Sequence, residues 1–163
     1  MDSKGQVVVA TIPPEYQLVR DNKVNKSNKV PGPSKIYDYL YLGSWKSLAD
    51  IENLKRLGIT GVVNVSSNYK IMQEWAEANL KKHIDVDFCF VNLETDYCLQ
   101  NSFETAFDTA TRFIESHRPR GGKVLVQCNN GIERSASIVV AFVMRQEGLS
   151  YTQALAKLRN QGC

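Results

Sequence analysis

Lys123-Val124-Leu125-Val126-Gln127-Cys128-Asn129-Asn130-Gly131-Ile132-Glu133-Arg134-Ser135 is the stretch on which the fold of this chain turns. Lys123 to Gln127 is a short apolar run of the kind that forms a buried strand. From Ser135 to about Glu147 the sequence is apolar enough and long enough for a helix, and Gly148 closes it. Between them lies a loop of seven residues that begins at Cys128 and ends at Arg134. Strand, loop and helix in this order suit a phosphate group for three physical reasons. Backbone N–H groups of such a loop turn inward as a nest, joined by the free N–H groups and partial positive charge of the helix start. The same field favours a thiolate, so the Cys128 pKa is expected to be lowered. Arg134 supplies a planar fork that holds two phosphate oxygens at once.

Working outward, strand-like and helix-like segments alternate. Ile36-Tyr-Asp-Tyr-Leu-Tyr-Leu42 alternates as a strand and stops at Gly43. A helix follows, with Asp50 or Ser47 as N-cap, Leu54 and Leu57 on one face and Gly58 at its end. Ile59–Val65 is a β-branched strand. Ile71–His83 reads as a helix with Met72, Trp75, Ala76 and Leu80 on one side, and Val86–Leu93 as another strand. Ser102 opens an amphipathic helix whose Phe103, Ala106, Phe107, Ala110, Phe113 and Ile114 follow 3.6-residue spacing, ending before Pro119. Ser150 caps a last helix carrying Ala154, Leu155 and Leu158. This order predicts a single α/β domain with a central, mostly parallel, twisted sheet flanked by helices.

Residues 1–35 read as a flexible basic arm, broken by Pro13-Pro14 and Pro31-Gly32-Pro33, and the domain is expected to span 36–163. The arm holds six basic and three acidic residues, which leaves 14 of each sign in 36–163. A formally neutral body gives no reason to expect a nucleic-acid surface. No stretch approaches the ~20 apolar residues of a membrane span, and Val7–Ile12 is too short for the apolar core of a signal peptide. These features predict an intracellular protein, cytoplasmic or nuclear. Cys89, Cys98, Cys128 and Cys163 show neither CxxC pairing nor histidine neighbours, so neither zinc nor a disulfide framework is expected. Cys89 and Trp75 read as core, Cys98 as a loop thiol, and His83 and His117 as solvated helix-end residues.

Cys-x5-Arg followed by Ser resembles the signature loop of the protein tyrosine phosphatase superfamily, and the flanking text resembles its dual-specificity branch. Ile36-Tyr-Asp-Tyr-Leu-Tyr-Leu-Gly43, Leu57-Gly-Ile-Thr-Gly-Val-Val-Asn-Val65, Gly122-Lys-Val-Leu-Val126, Ser135-Ala-Ser-Ile-Val-Val-Ala-Phe-Val-Met144 and Ser150-Tyr-Thr-Gln-Ala-Leu155 match that branch in order and spacing. The resemblance implies a protein tyrosine phosphatase-like fold and a metal-free, cofactor-free hydrolysis of phosphorylated proteins in two steps. Cys128 would attack phosphorus and form a phosphocysteine. Asp96, after the Val86–Leu93 strand, would protonate the leaving group and later activate water. Ser135 would donate to the departing thiolate. Asn129, Asn130, Gly131, Ile132, Glu133 and Arg134 would surround the phosphate. Asp87 and Glu94 stand as other candidates for the acid.

Three departures bear on activity. Gln127 occupies a position where the branch usually has histidine, and Glu133 one where a small residue is common. The chain also stops at Gly162-Cys163, about where the branch continues into another turn and helix. Two further readings therefore stand beside the phosphoprotein phosphatase. One is a pseudophosphatase that binds phosphorylated partners without turnover. The other is a phosphatase for a non-protein phosphate ester, which the acidic Glu133 disfavours for polyanions.

Overall fold

Strands that are apolar along their whole length, rather than alternating, are covered on both faces. Val62, Val63, Leu125 and Val126 have no exposed surface for this reason. The structure, a computed structural model, describes residues 32–65, 69–93, 100–128 and 133–162. Five strands, β1 (Ser34–Tyr37), β2 (Leu40–Ser44), β3 (Ile59–Val65), β4 (Asp87–Val91) and β5 (Lys123–Cys128), form one sheet in the order β1-β2-β5-β3-β4. All pairings are parallel except that of β1 with β2 at one edge. The expected mostly parallel sheet is thus present.

The helices are α1 (Trp45–Ala49), α2 (Ile51–Leu57), α3 (Tyr69–Trp75, continued by a π turn over Ala76–Leu80), α4 (Gln100–His117), α5 (Arg134–Glu147) and α6 (Tyr151–Asn160). Residues of α4, α5 and α6 pack on one face of the sheet, where Ala110, Ile114, Ile138 and Phe142 meet Val63, Val124 and Val126. On the other face Leu48, Leu54, Met72 and Trp75 meet Val62 and Leu125. Alternation along β5 therefore sends Val124, Val126 and Cys128 to the first face and Leu125 to the second. Phe142 is fully buried, and truncating such a side chain to alanine costs about 3–5 kcal/mol.

Local signals set most boundaries. The Asp50 carboxylate caps α2 by accepting from the Asn53 N–H at 3.1 Å, and Gly58 ends it in the left-handed conformation (φ 73°). Ser150 and Gln153 form a reciprocal capping box at the start of α6. Ser47, the other candidate cap, instead lies buried inside α1, where it packs so closely on Gly43 that a Cβ there would stand 2.8 Å from its Oγ.

Several expectations need correction. The single strand Ile36–Leu42 is a hairpin: β1 starts at Ser34, a turn falls at Asp38-Tyr39, and β2 runs on to Ser44. Stacking of Tyr37 on Tyr39, with centroids 5.4 Å apart, and the Arg118 guanidinium over Tyr39 hold that turn without glycine. The helix read as Ile71–His83 begins at Tyr69 and ends in the π turn, while Met72, Trp75, Ala76 and Leu80 are buried as expected. α4 starts two residues before Ser102. His117 is not solvated. It is 3% exposed, its ring 4.4 Å from that of Phe113 and its Nδ1 2.9 Å from the Phe113 carbonyl. Gly61 makes the room, since a Cβ there would stand 2.8 Å from His117 Nε2. His83 is exposed as read.

Candidate active site

In a parallel sheet the strands' carboxyl ends gather on one rim, and side chains delivered there face a common crevice. β5 ends on that rim with Cys128, paired in register with Ser44 at the end of β2. α5 begins at Arg134, six residues after Cys128. Ser135, in the first turn of α5, is fully buried and its Oγ donates to Cys128 Sγ at 3.1 Å. Cys128 itself is 4% exposed.

The first turn of α5 holds no acidic residue. Glu133 occupies the N-cap position of α5, yet its side chain makes no capping bond and is exposed. Ser137 instead anchors the Glu133 carbonyl, through its N–H at 3.0 Å and its Oγ at 2.7 Å. Among the described residues no side chain caps the first turn of this 14-residue helix, whose start carries partial positive charge. Together with the Ser135 hydroxyl, that terminus can stabilise negative charge on sulfur or on a bound anion. Arg134, partly buried, starts the helix.

The structure thus brings Cys128, Glu133, Arg134 and Ser135 to one place. Asn129, Asn130, Gly131, Ile132, Asp96 and Glu94 lie outside the described residues, as do Cys98 and Cys163. Asp87 stands away from Cys128. It starts β4 opposite Gly61, which pairs with Val124, four residues before Cys128. Four strand residues span about 13 Å, and Asp87 Oδ2 is engaged at that far end, 3.3 Å from His117 Nε2 and 3.7 Å from Arg120 Nη2. Cys89 packs against the core, and burial pushes its thiol pKa up, so it rests neutral. A groove of about 520 Å³ along β4, lined by Gln73, Glu77, Lys81, Phe88 and Phe90 among others, includes none of the residues gathered around Cys128.

One pair was not singled out in the sequence. Gln127 Nε2 donates to Asn64 Oδ1 across β5 and β3, and both side chains are 1% exposed. Asn64 is a lone amide in the otherwise apolar second half of β3, which is the signal that marks it.

Residues 40–162 match the family model described as dual specificity phosphatase, catalytic domain. Mouse dual specificity protein phosphatase 2 is 32% identical over 135 residues, which covers 80% of this chain and 39% of that protein. The dual specificity protein phosphatase PHS1 of Arabidopsis thaliana is 30% identical over 145 residues, 89% of this chain and 15% of that protein. The chain therefore spans well under half the length of these curated relatives. Among solved structures, the human tyrosine phosphatase-like serine/threonine/tyrosine-interacting protein superposes with a TM-score of 0.66 at 27% identity, covering 79% of this chain and 83% of that one. Human DUSP28 does so with a TM-score of 0.64 at 26% identity, covering 83% and 84%. This chain belongs to the dual specificity phosphatase family, and residues 40–162 carry its catalytic domain.

Proposed function

We propose that this chain hydrolyses phosphotyrosine and phosphoserine or phosphothreonine in phosphorylated proteins through a phosphocysteine intermediate. The observation that carries this reading is the buried Ser135–Cys128 bond in the first turn of α5. A hydroxyl aimed at sulfur and a helix N-terminus beside it both favour the thiolate, and the thiolate is the nucleophile.

In the first step Cys128 Sγ forms a bond to phosphorus while the bond to the leaving oxygen breaks. Asp96 supplies the proton that oxygen takes up. Arg134 and the N–H groups around the loop carry the charge on the non-bridging oxygens, where preorganised donors act most strongly. In the second step water attacks the phosphocysteine and Asp96 takes its proton. Sulfur then leaves as a thiolate onto the Ser135 hydroxyl. Nothing in this scheme calls on a metal ion.

Mixing excess aryl phosphate with enzyme in a stopped-flow instrument tests the proposal. A burst approaching one phenol per chain, followed by slower turnover, is expected. Phosphate or vanadate binding with no phenol release would instead identify a protein that recognises phosphate without turning it over.

A further inference from the structure

Asn64 and Gln127 are two buried amides on a sheet face otherwise filled by residues such as Val62, Leu125, Leu48 and Trp75. They stand opposite one another in the register of β3 and β5. Theirs is the last rung of that ladder, whereas on its other side β5 stays paired with β2 through Cys128 and Ser44. The Gln127–Asn64 hydrogen bond is therefore the final tie between β5 and β3 before the chain passes Cys128 into its loop.

Each amide keeps one polar atom outside that bond. Asn64 Nδ2 and Gln127 Oε1 are buried without a hydrogen-bond partner among the described residues. One is a donor and the other an acceptor, and exchanging oxygen and nitrogen in both amides leaves the same count. Replacing both partners of such a bond by apolar groups of the same shape is nearly neutral for a fold, whereas removing one of them is not. Leucine and methionine would fill this space at little cost. What the amides add is direction, because a hydrogen bond fixes the relative height and twist of two strands more sharply than apolar contact does.

We propose that the Asn64–Gln127 bridge is a positioning device for the nucleophile. It holds the end of β5 so that Cys128 Sγ meets the Ser135 hydroxyl and the start of α5. This rests on the reading of Cys128 as the nucleophile. Successive strand residues face opposite sides, so Gln127 points away from Sγ and acts through the backbone. Being a neutral amide, it adds no titration of its own to the site.

The test uses the full chain and two sets of variants. Asn64→Leu/Gln127→Met removes the bridge and keeps the volume. Its melting temperature should stay close to that of the parent, while kcat on an aryl phosphate falls about 10–100-fold. The pH midpoint of iodoacetate labelling at Cys128 should rise, as sulfur drifts from its donors. A stably folded double variant with unchanged kcat and labelling overturns the proposal. Should that variant not fold, a length swap decides. Gln127→Asn shortens one amide and should lower kcat and labelling rate about tenfold. Adding Asn64→Gln restores the combined length and should recover most of the loss. A swap no better than Gln127→Asn alone refutes the bridge. Because labelling needs no turnover, a parent protein without phosphatase activity would sink the proposed reaction yet leave this test intact.

Discussion

The Ser135 hydroxyl meets Cys128 Sγ at 3.1 Å inside the protein, joining the end of β5 to the first turn of α5. A hydrogen bond to a charged partner contributes about 1.5–3 kcal/mol. In the proposed mechanism that bond matters most when sulfur carries the full charge, as the phosphocysteine breaks. Ser135→Ala should therefore keep the phenol burst but slow steady-state turnover about 10–100-fold. Rapid-mixing kinetics separate the phases. Equal losses in both would mean that Ser135 serves attack as much as release.

Cys128→Ser should abolish turnover of an aryl phosphate while leaving vanadate binding largely intact. Arg134 and the α5 terminus do not depend on sulfur, and a serine hydroxyl is far harder to ionise than a thiol. Calorimetric titration with vanadate, run beside the activity assay, checks both halves. Appreciable turnover by the serine variant would remove Cys128 from the mechanism.

Asp96→Asn should lower kcat by about 10²–10⁴-fold on an alkyl phosphate, whose leaving group needs a proton. An activated nitrophenyl ester needs that proton less and should lose less rate. With Asp87 beside His117 and Arg120 at the opposite end of the sheet, equal losses on both substrates would transfer the role to Glu94.

The parts of this molecule that sequence reveals are those fixed by short-range chemistry. Ser150 and Gln153 cap α6 because three residues suffice to define a capping box, and Gly58 and Gly148 end helices by their left-handed backbone. The end of β5 and the start of α5 are legible because Cys128, Arg134 and Ser135 stand close together along the chain. The β1–β2 hairpin was not, since Ile36 to Leu42 alternates identically through a turn held by ring stacking rather than by glycine. His117 looked solvated because the room it fills is created by Gly61, 56 residues away in sequence. Asn64 escaped notice for the same reason: its partner Gln127 lies 63 residues on, and only strand register brings them together.

Away from the site, the Glu147 carboxylate accepts from both Lys157 and the Tyr37 hydroxyl, tying α5 to α6 and β1. These bonds, that of Lys157 foremost, hold the Glu147 pKa below its usual value. A lowered carboxylate pKa stabilises the fold above the unfolded value of about 4.3, and the contribution disappears as pH falls through the folded value. Lys157→Met should lower the melting temperature by about 1–3 °C at pH 7, as partly exposed ion pairs do. The gap between variant and parent should close as the pH is brought below 4.3, the approximate value for an unfolded glutamate. Scanning calorimetry across that range checks the sign, and a gap that widens in acid contradicts it.

Glu133 is exposed at the N-cap position of α5, next to Arg134, and its side chain caps nothing. A charge so placed acts on what approaches the site more than on the buried sulfur. Its field reaches about a Debye length, ~8 Å at physiological salt, and weakens as salt is added. Glu133→Ser should therefore raise kcat/KM on acidic phosphopeptides while barely changing that of a small aryl phosphate. The gain should shrink with ionic strength, since repulsion between like charges is what the substitution removes. If Glu133 acted on sulfur instead, its removal would lower the Cys128 pKa and speed every substrate alike. Iodoacetate labelling against pH in both proteins distinguishes the two. An unchanged midpoint keeps Glu133 as a selector of substrate charge, and a clear fall in the midpoint makes it a brake on the thiolate.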